Sequence, residues 1–91
     1  MNECVIELRG ANKQVDYTLL AFRFGQRIRI QLKHNQLPEP EMTTDPQTGE
    51  PMTRYYLHIN KHQEKKVRLV CSKFAEQSRL RITCQTFPCN H

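Results

Sequence analysis

The sequence predicts a mainly β fold: a small single domain over residues 1–91, forming an antiparallel sheet or barrel of about six strands with a projecting proline-rich hairpin arm. Apolar and polar residues alternate in several short segments, which is typical of half-buried strands. No segment of about ten or more residues shows a helical period. A chain of 91 residues is too short to build two cores, so we expect one domain.

The first half of the chain is expected to supply three strands. Alternation of apolar residues predicts a strand over Glu3–Arg9, a longer one over Val15–Phe24 and a third over Arg27–Lys33. The four residues Phe24–Arg27 resemble a tight hairpin turn, in which Gly25 would supply a positive φ. The two strands on either side of this turn would then pair with each other.

The segment 34–53 has a different composition. It contains four of the five prolines and four acids but no Lys or Arg, and proline is excluded from central strands. The run Thr44–Gly49 has the residues of a type I turn closed by a glycine bulge. We therefore expect a hairpin arm in which Glu41–Thr44 returns through Glu50–Thr53. This arm is either a partner contact or a solvated loop; the candidate contacts are Glu39, Glu41, Asp45 and Glu50.

Three further strands are expected between Arg54 and Gln85, separated by polar turns. The residues predicted to face the core are Tyr55, Leu57, Ile59, Val67, Leu69, Cys71, Leu80, Ile82 and Cys84. The segment Ser72–Ser78 would be a short helix or a wide loop that places Phe74 and Ala75 in the core. Residues 86–91 are expected to form an irregular tail.

The opposite face of these three strands would be basic. Residues 54–91 contain eight Lys/Arg against two acids, whereas residues 1–53 contain six against seven. A segregated positive field favours an acidic partner. The residues predicted on this face are Arg54, Tyr56, His58, Lys66, Arg68, Arg79 and Arg81. Arg29 would join them if the strand Arg27–Lys33 lies in the same sheet.

A nucleic acid is the preferred partner of this face, because arginine can bind phosphate bidentately and flat side chains can stack on bases. The candidate contacts are Arg29, Tyr56, His58, Arg68, Arg79 and Arg81. The alternative is a protein–protein interaction module, such as a small phage-type inhibitor or an accessory subunit that docks on a larger, possibly nucleic-acid-processing, complex through an acidic protein surface. A third interpretation is an ordinary solvated sheet face.

Metal binding and catalysis have less support. Cys84, Cys89 and His91 are three possible zinc ligands and Cys71 could supply a fourth, but their spacing is not that of a known zinc motif. We therefore expect no metal and no cofactor. The sequence also lacks GxSxG, HExxH and a glycine-rich phosphate loop, so we expect no enzymatic activity.

The location of the protein follows from the absence of long apolar runs. The first residues carry several charges, and no stretch approaches the length of a membrane span, so we expect a cytoplasmic protein with no membrane contact. The four cysteines should then be reduced thiols. A sheet that does not close leaves free edges, which makes a homodimer through edge strands plausible.

Overall fold

The computed structural model describes residues 2–10, 17–32 and 39–88. These residues form one antiparallel sheet in the order β2-β3-β1-β4, and two helices cover one of its faces. The elements are β1 (Asn2–Arg9), α1 (Tyr17–Leu32), β2 (Glu41–Thr44), β3 (Pro51–Ile59), α2 (Lys61–Ser78) and β4 (Arg81–Pro88). This β-α-β-β-α-β order is the connectivity of the split βαβ, or ferredoxin-like, arrangement.

The prediction of a mainly β fold with about six strands is wrong, because two helices replace three of the expected strands. Helix α1 runs through the segments predicted as Val15–Phe24 and Arg27–Lys33, as far as these are described. Its buried residues are Ala21, Phe24, Gly25, Ile28 and Leu32. Their spacing of three and four residues is that of a helix face, and the expected turn at Gly25 is a buried position within the helix.

Helix α2 replaces both the expected strand at Lys66–Ser72 and the short segment that follows it. The helix begins after Asn60, whose side chain accepts a hydrogen bond from the Gln63 backbone N–H at 2.8 Å. The Gln63 side chain accepts one in return from the Asn60 backbone N–H at 3.0 Å, which completes a capping box. Phe74 is buried as predicted, but Leu69 is 52% exposed instead of lying in the core.

The predicted hairpin is present, although it does not project as a separate arm. Strand β2 pairs with β3 and forms one edge of the sheet, with Thr44 opposite Pro51. The Asp45 carboxylate accepts a hydrogen bond from the Gln47 backbone N–H at 2.8 Å. Gly49 has a φ of 74°, and its N–H donates to the Asp45 carbonyl at 2.8 Å. Asp45 and Gly49 thus have the turn roles that their residue types predict.

The core lies between the sheet and the two helices. Phe24 of α1 is fully buried at its centre, with its ring centroid 5.9 Å from that of Tyr55 and 5.5 Å from that of Phe74. These rings bring together α1, β3 and α2, so that one aromatic cluster holds both helices on the sheet. The Tyr55 hydroxyl also donates to the Ala21 carbonyl at 3.3 Å.

Neither helix in the described part of the chain combines the length and the apolar character that crossing a bilayer requires. Helix α1 has 16 residues and carries three arginines. Helix α2 has 18 residues and carries five lysines or arginines. Both helices are therefore amphipathic elements that pack on a sheet, with their polar residues directed away from it.

Candidate binding surface

The uncovered face of the sheet receives three of the six predicted nucleic-acid contacts: Tyr56, His58 and Arg81. Strand register places Val5 opposite Tyr56 and Glu3 opposite His58. Strand β1 lies between β3 and β4, the two strands that were expected to form a basic face. On this face β1 contributes the carboxylates of Glu3 and Glu7 and the side chain of Val5. The face is mixed in charge, because β1 contributes acids as well as Arg9.

The arginines of this face are ion-paired. Arg54 Nη2 lies 2.8 Å from Glu7 Oε2, and Arg54 Nη1 lies 3.5 Å from Glu41 Oε2. Hydrogen bonding to Glu7 raises the pKa of Arg54 above its usual value, so this guanidinium stays charged. The neighbouring hairpin turn also contributes acids to the face, since Arg81 pairs with Glu50.

Another ion pair of the sheet joins Arg9 of β1 to Asp45 in the turn. Arg9 Nε lies 2.9 Å from Asp45 Oδ2. The pKa of Asp45 is lowered chiefly by the Gln47 backbone N–H and next by the Arg9 guanidinium, because both stabilise the ionised carboxylate. Three of the acids predicted to bind a partner, Glu41, Asp45 and Glu50, therefore serve the sheet itself. Glu39 is exposed beside β2.

The other three predicted contacts lie elsewhere, so the prediction of one common basic face is wrong. Arg29 is exposed on α1 and donates to the Gln26 side chain at 2.8 Å. Arg79 is the C-cap of α2 in the left-handed conformation, with a φ of 61°. Arg68 lies on α2. The expected face required all three residues to be on strands, and the helices direct them to separate surfaces.

The Arg68 side chain contacts the edge strand β4. Its guanidinium donates to the Cys84 carbonyl at 3.4 Å and to the Thr86 hydroxyl at 3.3 Å, and it pairs with Glu64 at 3.3 Å. The Thr86 hydroxyl in turn donates to Glu64 at 2.7 Å. Charged side chains along an edge strand oppose pairing with another chain. The predicted homodimer through edge strands would have to displace these contacts at β4.

Positive charge is concentrated on the helix layer, which consists of α1 and α2. These helices contain eight Lys/Arg and two acids, for a net charge of +6. The remaining described residues form the sheet layer, with four arginines and six acids, for a net charge of −2. Among the described residues, the excess of positive charge therefore lies on the opposite side from the predicted face.

The helix layer also exposes apolar side chains where its two helices meet. A groove of about 370 Å³ between them is lined by Arg27, Ile30, Gln31, Leu69, Val70 and Lys73; we call it the helix seam. Ile30 is 71% exposed and Leu69 is 52% exposed. The Arg27 guanidinium carbon lies 5.8 Å from the centroid of the Phe74 ring, so this cation is held beside the seam.

The cations of the helix seam have no acidic partner in the described part of the chain. Neither Arg27 nor Lys73 forms an ion pair with an acid in residues 2–10, 17–32 or 39–88. Sequence reasoning missed the seam because it assigned Leu69 to the core and placed Ile30 on a strand. The signal that could have revealed it is the helical spacing of Val67, Cys71 and Phe74, which leaves Leu69 off the buried stripe.

The four residues considered as possible zinc ligands are only partly described. Cys89 and His91 lie outside the described residues, so the four-ligand hypothesis is not tested by the structure. Within the described ranges, no set of His, Cys, Asp or Glu side chains is arranged to hold a metal ion. Cys71 and Cys84 are free thiols, and they lie close to a third free thiol, Cys4, which the sequence gave no reason to include.

Comparisons with known proteins concern the fold alone. No protein-family model matches the chain, and no curated protein matches it. The chain is similar to a solved structure called De novo designed protein Foldit4, with 15% identity, a TM-score of 0.66 and 98% of each chain covered. It is also similar to part of an amidase of the hydantoinase/carbamoylase family from Burkholderia multivorans. That match has 14% identity and a TM-score of 0.52, and it covers 94% of this chain and 27% of the amidase.

Proposed function

We propose that this chain is a non-catalytic protein-interaction module that binds an acidic, amphipathic segment of a partner protein in the helix seam. The observation that carries the proposal is the coincidence of two properties on one surface. The helix layer has a net charge of +6, and its seam exposes Ile30 and Leu69. An acidic surface with apolar anchors complements both properties, and an apolar groove between helices suits a helical segment.

The exposed aliphatic side chains favour a protein over a nucleic acid. A phosphate backbone complements cations but gains nothing from contact with Ile30 or Leu69, and neither side chain offers a flat ring for a base to stack on. An apolar side chain of a protein partner would gain roughly 25 cal/mol for each Å² of apolar surface that it buries there. The class of function is thus the inhibitor or accessory subunit, with the contact on the helices instead of the hairpin.

The nucleic-acid hypothesis is carried by charge alone. Eight Lys/Arg on two neighbouring helices form a cationic surface large enough to contact several phosphates. Such binding would weaken steeply with salt, with a slope of about −0.9 for each phosphate contacted in duplex DNA. A protein interface with apolar anchors would weaken less, so the dependence on salt separates the two classes of partner.

The direct test measures binding of a fluorescent acidic amphipathic peptide of about 20 residues, made of Glu and Leu in a helical pattern. We expect the double variant Ile30→Ser and Leu69→Ser to weaken binding at least about 10-fold, equivalent to about 1.4 kcal/mol. Both side chains are mostly exposed, so the variant should fold normally. Phe22→Ser is the matched control: Phe22 is 62% exposed on α1 but lines a separate groove beside β2, so binding should not change.

A second peptide, with Gln in place of Leu, keeps the charge and removes the apolar anchors. Equal affinity for both peptides would contradict the proposal. So would tight binding of a duplex DNA or RNA of about 20 base pairs that is lost with Arg27→Gln and Lys73→Gln but is unaffected by the Ile30 and Leu69 changes. That second result would identify the helix layer as a nucleic-acid surface.

A further inference from the structure

Three cysteines from separate elements meet at one side of the core. Cys4 lies on β1, Cys71 on α2 and Cys84 on β4. The Sγ atoms of Cys4 and Cys84 are 3.5 Å apart. The pKa of the Cys71 thiol is raised chiefly by its interaction with Cys84, so the third thiol lies beside this pair. Cys4 and Cys84 are 80 residues apart in the sequence, so their contact is a product of the antiparallel pairing of β1 with β4.

The three thiols differ in exposure and in the groups around them. Cys4 is fully buried and Cys71 is 6% exposed, whereas Cys84 is half-buried on an edge strand. The guanidinium of Arg68 lies beside Cys84 and donates to its backbone carbonyl. Cys84 is therefore the most accessible thiol of the three, and its backbone is held by a fixed positive charge.

Charge within the cluster should reside on Cys84. Hydrogen bonds from the Cys4 and Cys71 thiols hold the pKa of Cys84 well below its usual range, and Arg68 lowers it further, while burial acts in the opposite direction. The same contacts raise the pKa of Cys4 and of Cys71, which keep their protons. A thiolate at Cys84 is the nucleophilic form of cysteine, and the neighbouring thiol of Cys4 can resolve an oxidised product.

We propose that Cys84 is a site of reversible oxidation by hydroperoxides and that Cys4 closes the product to a disulfide. The Cys84 sulfur attacks the terminal peroxide oxygen; an S–O bond forms as the O–O bond breaks, and the leaving oxygen takes a proton to become an alcohol or water. Cys84 is then a sulfenic acid. The Cys4 sulfur displaces its hydroxyl group, an S–S bond forms, and the Cys4 proton leaves with that group as water. The two thiols lose two electrons and the peroxide gains them.

The first test needs no change to the cluster. The Cys89→Ser variant of the 91-residue chain retains the three clustered thiols and no other cysteine, so any intramolecular disulfide must join two of them. One equivalent of hydrogen peroxide, followed by peptide mass mapping, should reveal a Cys4–Cys84 link that dithiothreitol removes. A link from Cys71 to Cys84, or peroxide treatment that leaves all three thiols reduced, would overturn the proposal.

A second test follows the reactivity of Cys84 with pH. The rate of alkylation of Cys84 by iodoacetamide should be nearly constant between pH 6 and pH 8, whereas an ordinary thiol with a pKa of about 8.5 would react about 75-fold faster at the higher pH. Cys4→Ala should restore part of the pH dependence, and Arg68→Gln should change the profile less, because the hydrogen bond from Cys4 is the largest cause of the lowered pKa and the Arg68 charge is the smallest. In Cys4→Ser, dimedone should trap a sulfenic acid at Cys84. A steep profile in the unsubstituted chain would contradict a thiolate at this position.

Discussion

The sheet layer and the helix layer use their charges in opposite ways. In the sheet layer Arg9, Arg54 and Arg81 each contact a carboxylate, and the turn residues Asp45 and Glu50 supply two of these acids. In the helix layer, cations surround exposed aliphatic side chains. The two cations of the seam, Arg27 and Lys73, have no acidic partner within the described ranges. The difference shows that basic composition alone does not locate a binding surface, because arginines can form ion pairs within the protein itself.

The largest expected effect separates buried from exposed aromatic residues on α1. Phe24→Ala should lower the free energy of unfolding by about 3–5 kcal/mol, because Phe24 is fully buried against Tyr55 and Phe74. Phe22→Ala, two positions away and 62% exposed, should change it by less than about 0.5 kcal/mol. Urea denaturation followed by circular dichroism measures both values. Similar losses for the two variants would mean that α1 does not pack through Phe24.

A smaller effect is expected from the charges themselves. Arg54→Gln should lower the free energy of unfolding by about 1 kcal/mol, because it removes two hydrogen bonds to Glu7. This value is already reduced for the partial exposure of the pair to solvent. Lys73→Gln should leave stability within about 0.5 kcal/mol, since Lys73 is exposed and makes no ion pair in the described residues. Denaturant unfolding measures both values. Equal losses of stability for the two variants would contradict the difference between the sheet layer and the helix layer.

The pH dependence of stability should report the pair in the hairpin turn. Because folding lowers the pKa of Asp45, its contribution is fully present above the unfolded value of about 3.9 and is lost as the pH falls through the lower folded value. Asp45→Asn retains an oxygen that can accept the Gln47 hydrogen bond and removes the charge. Its stability should therefore decline less than that of the unsubstituted chain between pH 5 and pH 2. Denaturant unfolding at each pH measures both stabilities. An equal decline for the two proteins would contradict the lowered pKa of Asp45.

Sequence alternation found the positions of the strands and failed at the helices. It also ended the last strand too early, because residues 86–88 of the expected irregular tail belong to β4. Glu3–Arg9 falls within β1, and the hairpin turn was recognised from Asp45 and Gly49, because period-two patterns and turn residues are local signals. Arg27–Lys33 alternates only by coincidence: Ile28 is buried and Ile30 is exposed. A segment of seven residues is too short to distinguish the two-residue period of a strand from the period of about 3.6 residues of a helix.

The positions of the charges could not be predicted because they depend on which strands are neighbours. The contact of Arg54 with Glu7 spans 47 residues and that of Arg81 with Glu50 spans 31. Both require the order β2-β3-β1-β4. For the same reason the sequence did not place Cys4 beside Cys84. The candidate surface therefore moved from the strands to the helices only when the topology was known.

The most direct test of the account is an NMR titration of the isotope-labelled chain with the Glu/Leu peptide, in which amide shifts are followed residue by residue. We expect the shift changes to concentrate at Arg27, Ile30, Leu69 and Lys73, while Tyr56 and His58 on the uncovered sheet face are unaffected. Changes centred on Tyr56 and His58, with the seam unaffected, would contradict the claim that the helix layer is the binding surface.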